Sequence, residues 1–432
     1  MLAWSANAEQ NPNDGPLLTL DQAVQTAVAN NRVLKIYSLD VDKSKWQVAS
    51  TKTHRLPSLN TYVFGSGLLT PVNFTFPAGL FGKVDGKAIP EKTTQITNQG
   101  FTAYAVGQVA QPLSQLYKLN LGVREQELSS DLASQKYREQ RQTVVKDTKQ
   151  GYYAVLQSQS SIEATQASIK QYEELDRVTQ EKISQEAVLK SDTLEVKAKL
   201  AQEKYKLLQL QDELQTRKEN LNDLMARDLE TPFRVEEVPP VSPEEGDLRT
   251  AQQKALSSRP EIKQAEIQVQ QADYERRIAK AAYIPDIGLA VHYLSPFGVD
   301  FVPKNVVSAG FEFTYEPFQW GRRKDDVNQK KIMLDQSQYQ LKEAQSKVLL
   351  DVDNRFRKLH ESRVLLDVTQ AAQLAATEKL REVTQKYQQQ SVLLRDLFQQ
   401  QAAVVSADSD YEQALLSFWN AKADFEKAIG ED

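Results

Sequence analysis

Ala309-Gly310-Phe311-Glu312-Phe313-Thr314-Tyr315-Glu316 is the stretch on which the fold turns. In an extended chain Phe311, Phe313 and Tyr315 fall on one side, and Glu312, Thr314 and Glu316 on the other. Just upstream, Ile287, Leu289, Val291 and Tyr293 alternate with Asp286, Gly288, Ala290 and His292. The pattern predicts two strands, over 284–295 and 306–317. Period two, with an apolar outside and a polar inside, is the signature of a membrane-spanning β-barrel. A half-buried soluble sheet alternates in the same way. On the barrel reading Glu312 and Glu316 line a lumen and favour cations. The competing reading leaves them on an exposed strand face outside any pore.

Downstream of this stretch the character changes. No proline occurs from Phe318 to the end, nor from Leu113 to Thr231. Both segments are rich in Gln, Lys, Glu, Ala and Leu, which favour helix. Leu397, Val404, Tyr411, Phe418 and Phe425 recur every seven residues, as do Thr193, Leu200, Leu207, Leu214 and Leu221. Such a seam faces a neighbouring helix and implies left-handed supercoiling. Helices are expected over 114–187, 191–228, 320–388 and 392–429. One of ~70 residues reaches about 105 Å, far more than a globular domain needs.

The chain is also duplicated. At an offset of 228, Leu20, Ala23, Ala27, Leu34 and Lys35 fall on Leu248, Ala251, Ala255, Ile262 and Lys263, and Pro57 on Pro285. Beyond that the offset drops to about 204. Gln111-Pro112-Leu113 then lies near Glu316-Pro317-Phe318, with Val144 on Val348, Tyr152 on Phe356, Asp192 on Asp396 and Leu221 on Phe425. The drop places an insertion of roughly 23 residues between Pro57 and Pro112. Each repeat reads as a helix (19–55 and 247–283), two strands (57–70 with 100–112, 284–295 with 306–317) and a long helical hairpin. The first-repeat strands alternate less cleanly and hold Gly65, Gly67 and Gly107. The organisation is a tail over 1–18, a first repeat over 19–228, a Pro-rich joint over 229–247 and a second repeat over 248–432. The stretches 71–99 and 296–305, holding Pro, Gly and Asn, would be external loops.

Four strands cannot close a membrane barrel, which needs about eight or more. Open edges in lipid would strand backbone polar groups. If these strands span a membrane, several chains share one barrel. The fold class is therefore mainly α with a small β part.

Composition narrows the alternatives. The 53 basic and 58 acidic residues leave a slight negative excess with no long basic run, which argues against a nucleic-acid partner. The chain contains no cysteine, so disulfide, thiol and thiolate chemistry are closed to it. No window of eighteen apolar residues reads as a transmembrane helix. Ala6-Asn7-Ala8 reads either as the end of a signal peptide whose apolar stretch was trimmed or as part of a flexible tail. His54, His292 and His360 lack metal-ligand spacing. Asp351-Val352-Asp353-Asn354 lacks the sixth-position glycine of a calcium loop and lies in helical sequence. No nucleophile–base constellation gathers, so neither an enzyme nor a cofactor is expected.

Leu20-Asp21-Gln22-Ala23, Ser258-Arg259-Pro260-Glu261 and Glu316-Pro317-Phe318-Gln319-Trp320-Gly321-Arg322-Arg323 stand in the order found in the TolC-like outer-membrane efflux family. The chain resembles that family from about Leu18 to Gly430. The resemblance implies a homotrimer whose long antiparallel coiled-coil helices form a twelve-helix α-barrel. It also implies a shared, twelve-stranded transmembrane β-barrel in outer-membrane lipid of a Gram-negative-type bacterium. A periplasmic adaptor (membrane fusion protein) and an inner-membrane pump are the implied partners, in efflux or type I secretion. A different class, a periplasmic coiled-coil scaffold or adaptor without a pore, would explain the helices but not the aromatic strands.

The resemblance places the periplasmic aperture at the turns 185–192 and 389–396. Asp192 and Asp396 occupy equivalent places, and a symmetric ring of such carboxylates would draw cations into a constriction. The alternative is that both merely cap helix starts. Lys190 and Arg395 would pair with carboxylates of adjacent helices. Glu186, Val188, Leu189, Gln390, Val392 and Leu393 are the expected adaptor-contact residues. Where the family has glycine six positions before the aspartate, this chain has Glu186 and Gln390, so the turn is shaped differently or its partner is unusual.

Overall fold

A computed structural model of the chain describes residues 15–67, 69, 72–96, 101–183, 190–236, 246–298, 303–389 and 391–431. Its elements run β1 (Leu17–Leu18), α1 (Leu20–Asn30), α2 (Arg32–Thr53), β2 (Ser58–Gly67), β3 (Val72–Phe76), β4 (Lys83–Val84), β5 (Lys87–Ala88), β6 (Lys92–Ile96), β7 (Phe101–Pro112), α3 (Gln115–Ile183) and α4 (Lys190–Leu224). They continue with β8 (Arg234–Val235), α5 (Leu248–Ser258), α6 (Pro260–Ala281), β9 (Asp286–Phe297), β10 (Val306–Thr314), α7 (Arg322–Gln388) and α8 (Leu394–Ala428). The duplicated order, helix then two strands then a long hairpin, is present in both repeats. The residues fall into two compact units that each draw on both repeats: 1–43, 130–269 and 337–432 form one, and 44–129 with 270–336 the other.

The single helices expected over 19–55 and 247–283 are each two helices. The first breaks at Asn31 (φ −53°, ψ 127°) and the second at Arg259 (φ −66°, ψ 129°), positions one repeat offset apart. Asn31 accepts the N–H groups of Val33 (2.9 Å) and Leu34 (3.2 Å) and so starts α2, while its amide donates to the Leu224 carbonyl at 2.8 Å. At Arg259 the cause is Pro260, which drives the residue before it out of the helical region and suits a first helical position. The helix starts also correspond: Thr19 caps α1 in a reciprocal box with Gln22, and Asp247 caps α5 through the Thr250 N–H at 3.3 Å.

In the first unit the repeat-matched residues are the core. Ala23, Ala27, Leu34, Val144, Tyr152, Leu221 and Met225 are buried together, and so are Ala251, Ala255, Ile262, Val348 and Ile429, the counterparts of Ala23, Ala27, Leu34, Val144 and Met225, with Phe425 packed against both groups. Tyr152 also ties down the N-terminal segment. Its hydroxyl lies 3.0 Å from the Leu18 carbonyl and 2.9 Å from that of Glu236, and accepts the Glu236 N–H at 2.8 Å. The expected tail over 1–18 therefore ends in a strand: β1 pairs in parallel with β8 of the Pro-rich joint.

The second unit carries a four-stranded antiparallel sheet in the order β2-β7-β9-β10. The two hairpins join through β7 and β9, Val109 opposite Val291 and Gly107 opposite Tyr293. Two of the three glycines that spoil the first-repeat alternation are covered by aromatic residues, and Gly67 is open. The Phe101 ring lies where a Cβ on Gly65 would sit, at 2.3 Å, and Tyr293 packs over Gly107. Between β2 and β7, the stretch expected to be irregular forms a ladder of β3 with β6 and a small β4–β5 hairpin. β10 stops at Thr314, three residues short of the expected end, which puts Glu316 outside the strand.

Candidate channel lining and gate

The register sorts the sheet into two faces. Phe311 stands opposite Leu289 and Phe313 opposite Ile287, with Val291 and Val109 beside them and Leu59 and Val63 on β2. This face is mostly apolar, with Thr61, Ser295 and Gln111 among its residues, yet Phe311 is 79% exposed and Val63 74%. A contiguous apolar surface of that extent requires a non-aqueous neighbour.

The opposite face carries Tyr62, Phe64 and Leu294 toward one end and gathers polar groups toward the other. Gln108 on β7 donates its amide to the Glu312 Oε1 on β10 at 3.2 Å, and the His292 Nε2 on β9 stands 3.6 Å from the same oxygen. Three adjacent strands thus converge on one carboxylate. Gly288 lies directly across from Glu312. At the helical end of this face an open cleft of about 660 Å³ is lined by His54, Ser58, Gln111, Asp286, Glu312 and Thr314, among others. Glu316 keeps local company instead: it accepts from the Gln319 amide and sits 3.6 Å from Arg322. Among the described residues no group of His, Asp and Glu is arranged to hold a metal ion.

A family model described as "Outer membrane efflux protein" matches residues 23–227 and 251–431, most of both repeats. The chain belongs to the outer membrane efflux protein family. Solved structures share the fold. The CmeC outer-membrane channel of Campylobacter jejuni aligns with TM-score 0.79 at 17% identity, covering 95% of this chain and 85% of that one. VceC of Vibrio cholerae aligns at 0.78 and 14%, covering 95% and 96%. MtrE of Neisseria gonorrhoeae, captured in an open state, aligns at 0.73 and 18%, covering 95% and 89%. No curated protein matches by sequence search. This efflux protein is accordingly an outer-membrane channel, an exit duct for efflux with an α-barrel and a smaller β part, in a family of channels rather than enzymes.

At the turn between the long helices of the second repeat, α7 ends and Ser391 closes it, donating from N–H (2.9 Å) and hydroxyl (2.8 Å) to the Lys386 carbonyl. α8 starts at Leu393, whose side chain offers no cap. Asp396 supplies it, accepting the Leu393 N–H at 3.1 Å. Arg395 is 80% exposed and reaches its own neighbour, Asp396, at 4.0 Å; among the described residues it pairs with no carboxylate of another helix. Leu393 is exposed and Val392 half-buried. Gln390, Glu186, Val188 and Leu189 lie outside the described residues, as do the side chains of Lys190 and Asp192, whose backbone opens α4.

Two features of the helical part escaped the sequence reading. Tyr172 and Leu175 of α3, Val196 of α4 and Leu397 and Phe398 of α8 form a separate buried cluster, with Leu380, Val383 and Tyr387 of α7 against it. Tyr172 stacks on Phe398 at 6.0 Å. All four long helices of the efflux protein are thus clasped one turn inside Asp396. Second, Glu412 of α8 accepts the Ser161 hydroxyl at 2.9 Å. Burial pushes its carboxyl above the ordinary range, opposed by that hydrogen bond and by Lys206 and reinforced by Asp408 and Glu163. The seven-residue spacing of Leu397, Val404 and Tyr411 points to neither Phe398 nor Glu412, because spacing does not report which off-seam side chains a bundle encloses.

Proposed function

We propose that three copies of this outer membrane efflux protein close one twelve-stranded barrel, with the apolar sheet face toward lipid and the Gln108–His292–Glu312 face toward the lumen. The observation that carries this reading is the four-stranded sheet itself. It has unpaired outer edges at β2 and β10 and an exposed apolar face, a combination that lipid tolerates only in a closed barrel. Twelve strands are in the range that encloses a water-filled passage. The duct is passive: substrate arrives through a periplasmic adaptor from an inner-membrane pump, and selection is made upstream.

Asp192 and Asp396 of the three chains form the narrow periplasmic aperture in this reading, while Asp396 also caps α8. Lys190 and Arg395 set the charge around it. Glu186, Val188, Leu189, Gln390, Val392 and Leu393 present the turns to the adaptor. Glu312 adds three carboxylates to the lumen, one per chain. Planar-bilayer recording of the purified protein tests the scheme. Expected is a water-filled conductance with cation preference that falls in Glu312→Gln and falls further in Asp192→Asn with Asp396→Asn. Unchanged preference in both variants removes the charge assignments; absence of conductance removes the pore.

A further inference from the structure

Just past the end of β10 the chain makes an unusual turn. Trp320 has φ +53° and Gly321 φ +88°. The left-handed region is costly for a bulky aromatic residue and persists only where the surroundings impose it. Here it places Phe318 and Trp320 edge to face, with centroids 4.7 Å apart, while Trp320 stays 88% exposed. Behind them the Arg323 guanidinium is held between two rings, 5.3 Å from the centroid of Tyr315 and 5.9 Å from that of Tyr283. Tyr315 in turn sits 6.5 Å from Phe313, so the pocket continues the apolar face of the sheet. Arg322 pairs with Glu316, but among the described residues no carboxylate comes within salt-bridge distance of Arg323.

We propose that this corner is a phospholipid site: Arg323 binds the phosphate of a glycerophospholipid in the periplasmic leaflet, and Phe318 and Trp320 lie at the headgroup level beside its acyl chains. The proposal rests on the outer-membrane placement of the sheet. Three features select the ligand. A guanidinium pre-oriented on aromatic faces keeps its N–H edges free for an oxyanion. Among the described residues the cation has no acidic partner. The apolar surface that carries the acyl chains is contiguous with it, and exposed Trp and Tyr rings prefer the membrane interface. A free inorganic anion would use the first two features and have no use for the third.

Native mass spectrometry of the detergent-solubilised full chain, titrated with phosphatidylglycerol, diacylglycerol or inorganic phosphate, tests this directly. Expected is saturable binding of phosphatidylglycerol up to one molecule per chain, about tenfold weaker binding of diacylglycerol, and no displacement by millimolar phosphate. Arg323→Gln is expected to weaken phosphatidylglycerol about tenfold and Arg322→Gln less than about twofold. Equal binding of phosphatidylglycerol and diacylglycerol by the unaltered protein overturns the phosphate site, whatever the variants do. Displacement by inorganic phosphate overturns the lipid assignment. Because the same spectra report subunit number, a trimer without headgroup selectivity sinks only the lipid site, and a monomer sinks the shared barrel.

Discussion

At the α1–α2 corner Asn31 holds its neighbours through neutral hydrogen bonds; at the α5–α6 corner, one repeat offset later, Arg259 holds them through charge. Arg259 is 8% exposed and donates to Glu261 at 2.6 Å and to Asp351 at 2.7 Å. Asp351 also meets Arg355 at 3.3 Å, and Arg355 reaches Asp424 at 2.6 Å. The first-repeat counterpart of Arg355 is Gly151, where the chain needs no charge because Leu221 and Leu224 of α4 close onto the bare backbone. Tyr152 and Phe356 diverge likewise: one ring carries a hydroxyl that fastens β1 and β8, the other packs on Phe425 at 5.9 Å. Duplication kept the backbone path and the apolar contacts, while the polar fastenings were solved separately. The charged corner is therefore the one expected to respond to pH.

The largest expected effect comes from breaking the charged corner. Arg259→Met leaves Glu261 facing a protein wall without its cation and Asp351 with Arg355 alone. Because Glu261 and Asp351 keep part of their hydration, the loss should sit near the lower end for buried pairs, about 3 kcal/mol. Burial lowers the charge preference of both Arg259 and Glu261, but the pair and Asp351 more than reverse it, so Arg259 is raised and Glu261 lowered. A lowered carboxyl stabilises the fold above its unfolded value and gives that up as pH falls through its folded one. Melting temperature should thus drop on the acid side in the unaltered protein, with a shallower drop in Arg259→Met.

Tyr152→Phe makes the first repeat copy the second. It leaves the Glu236 N–H only the Leu18 carbonyl at 3.2 Å and removes the donor shared by two carbonyls, for an expected loss of about 1 kcal/mol. Limited proteolysis should then open the N-terminal segment first. Asn31→Ala removes a helix start and one contact to Leu224, for about 1 kcal/mol, with no change in the pH profile. The smallest effect has the opposite sign. Glu412, whose repeat counterpart is Leu208, carries a carboxyl raised chiefly by burial. Its ionised form costs stability above the raised value and costs nothing well below it. Glu412→Gln keeps the Ser161 contact and should raise the melting temperature at pH 7 by about a degree or two, and not at all at pH 4.

Much of this architecture was legible in the residues. Ala23, Ala27 and Leu34 matched Ala251, Ala255 and Ile262 because equivalent cores demand equivalent small and branched side chains, and those residues are the buried ones. Phe311 and Phe313 declared their face by alternation alone. Pro260 announced its break in the pattern yet was passed over, since periodicity ran through it in register. Asn31 gave less warning, because an asparagine that caps looks the same in sequence as one on a solvated face. The convergence of Gln108, His292 and Glu312 was illegible for a different reason. It depends on β7 pairing with β9, a contact between repeats that neither hairpin encodes. Asp396 was singled out by its repeat position, and its bond to the Leu393 N–H is the helix-start role weighed as the alternative for it.

The account depends most on strands shared between chains. The direct measurement is the native mass of the detergent-purified channel, free of engineered cross-links. The account predicts a species of three 48.9 kDa chains that persists to the point where β structure melts. A single-chain species with its sheet intact would contradict it.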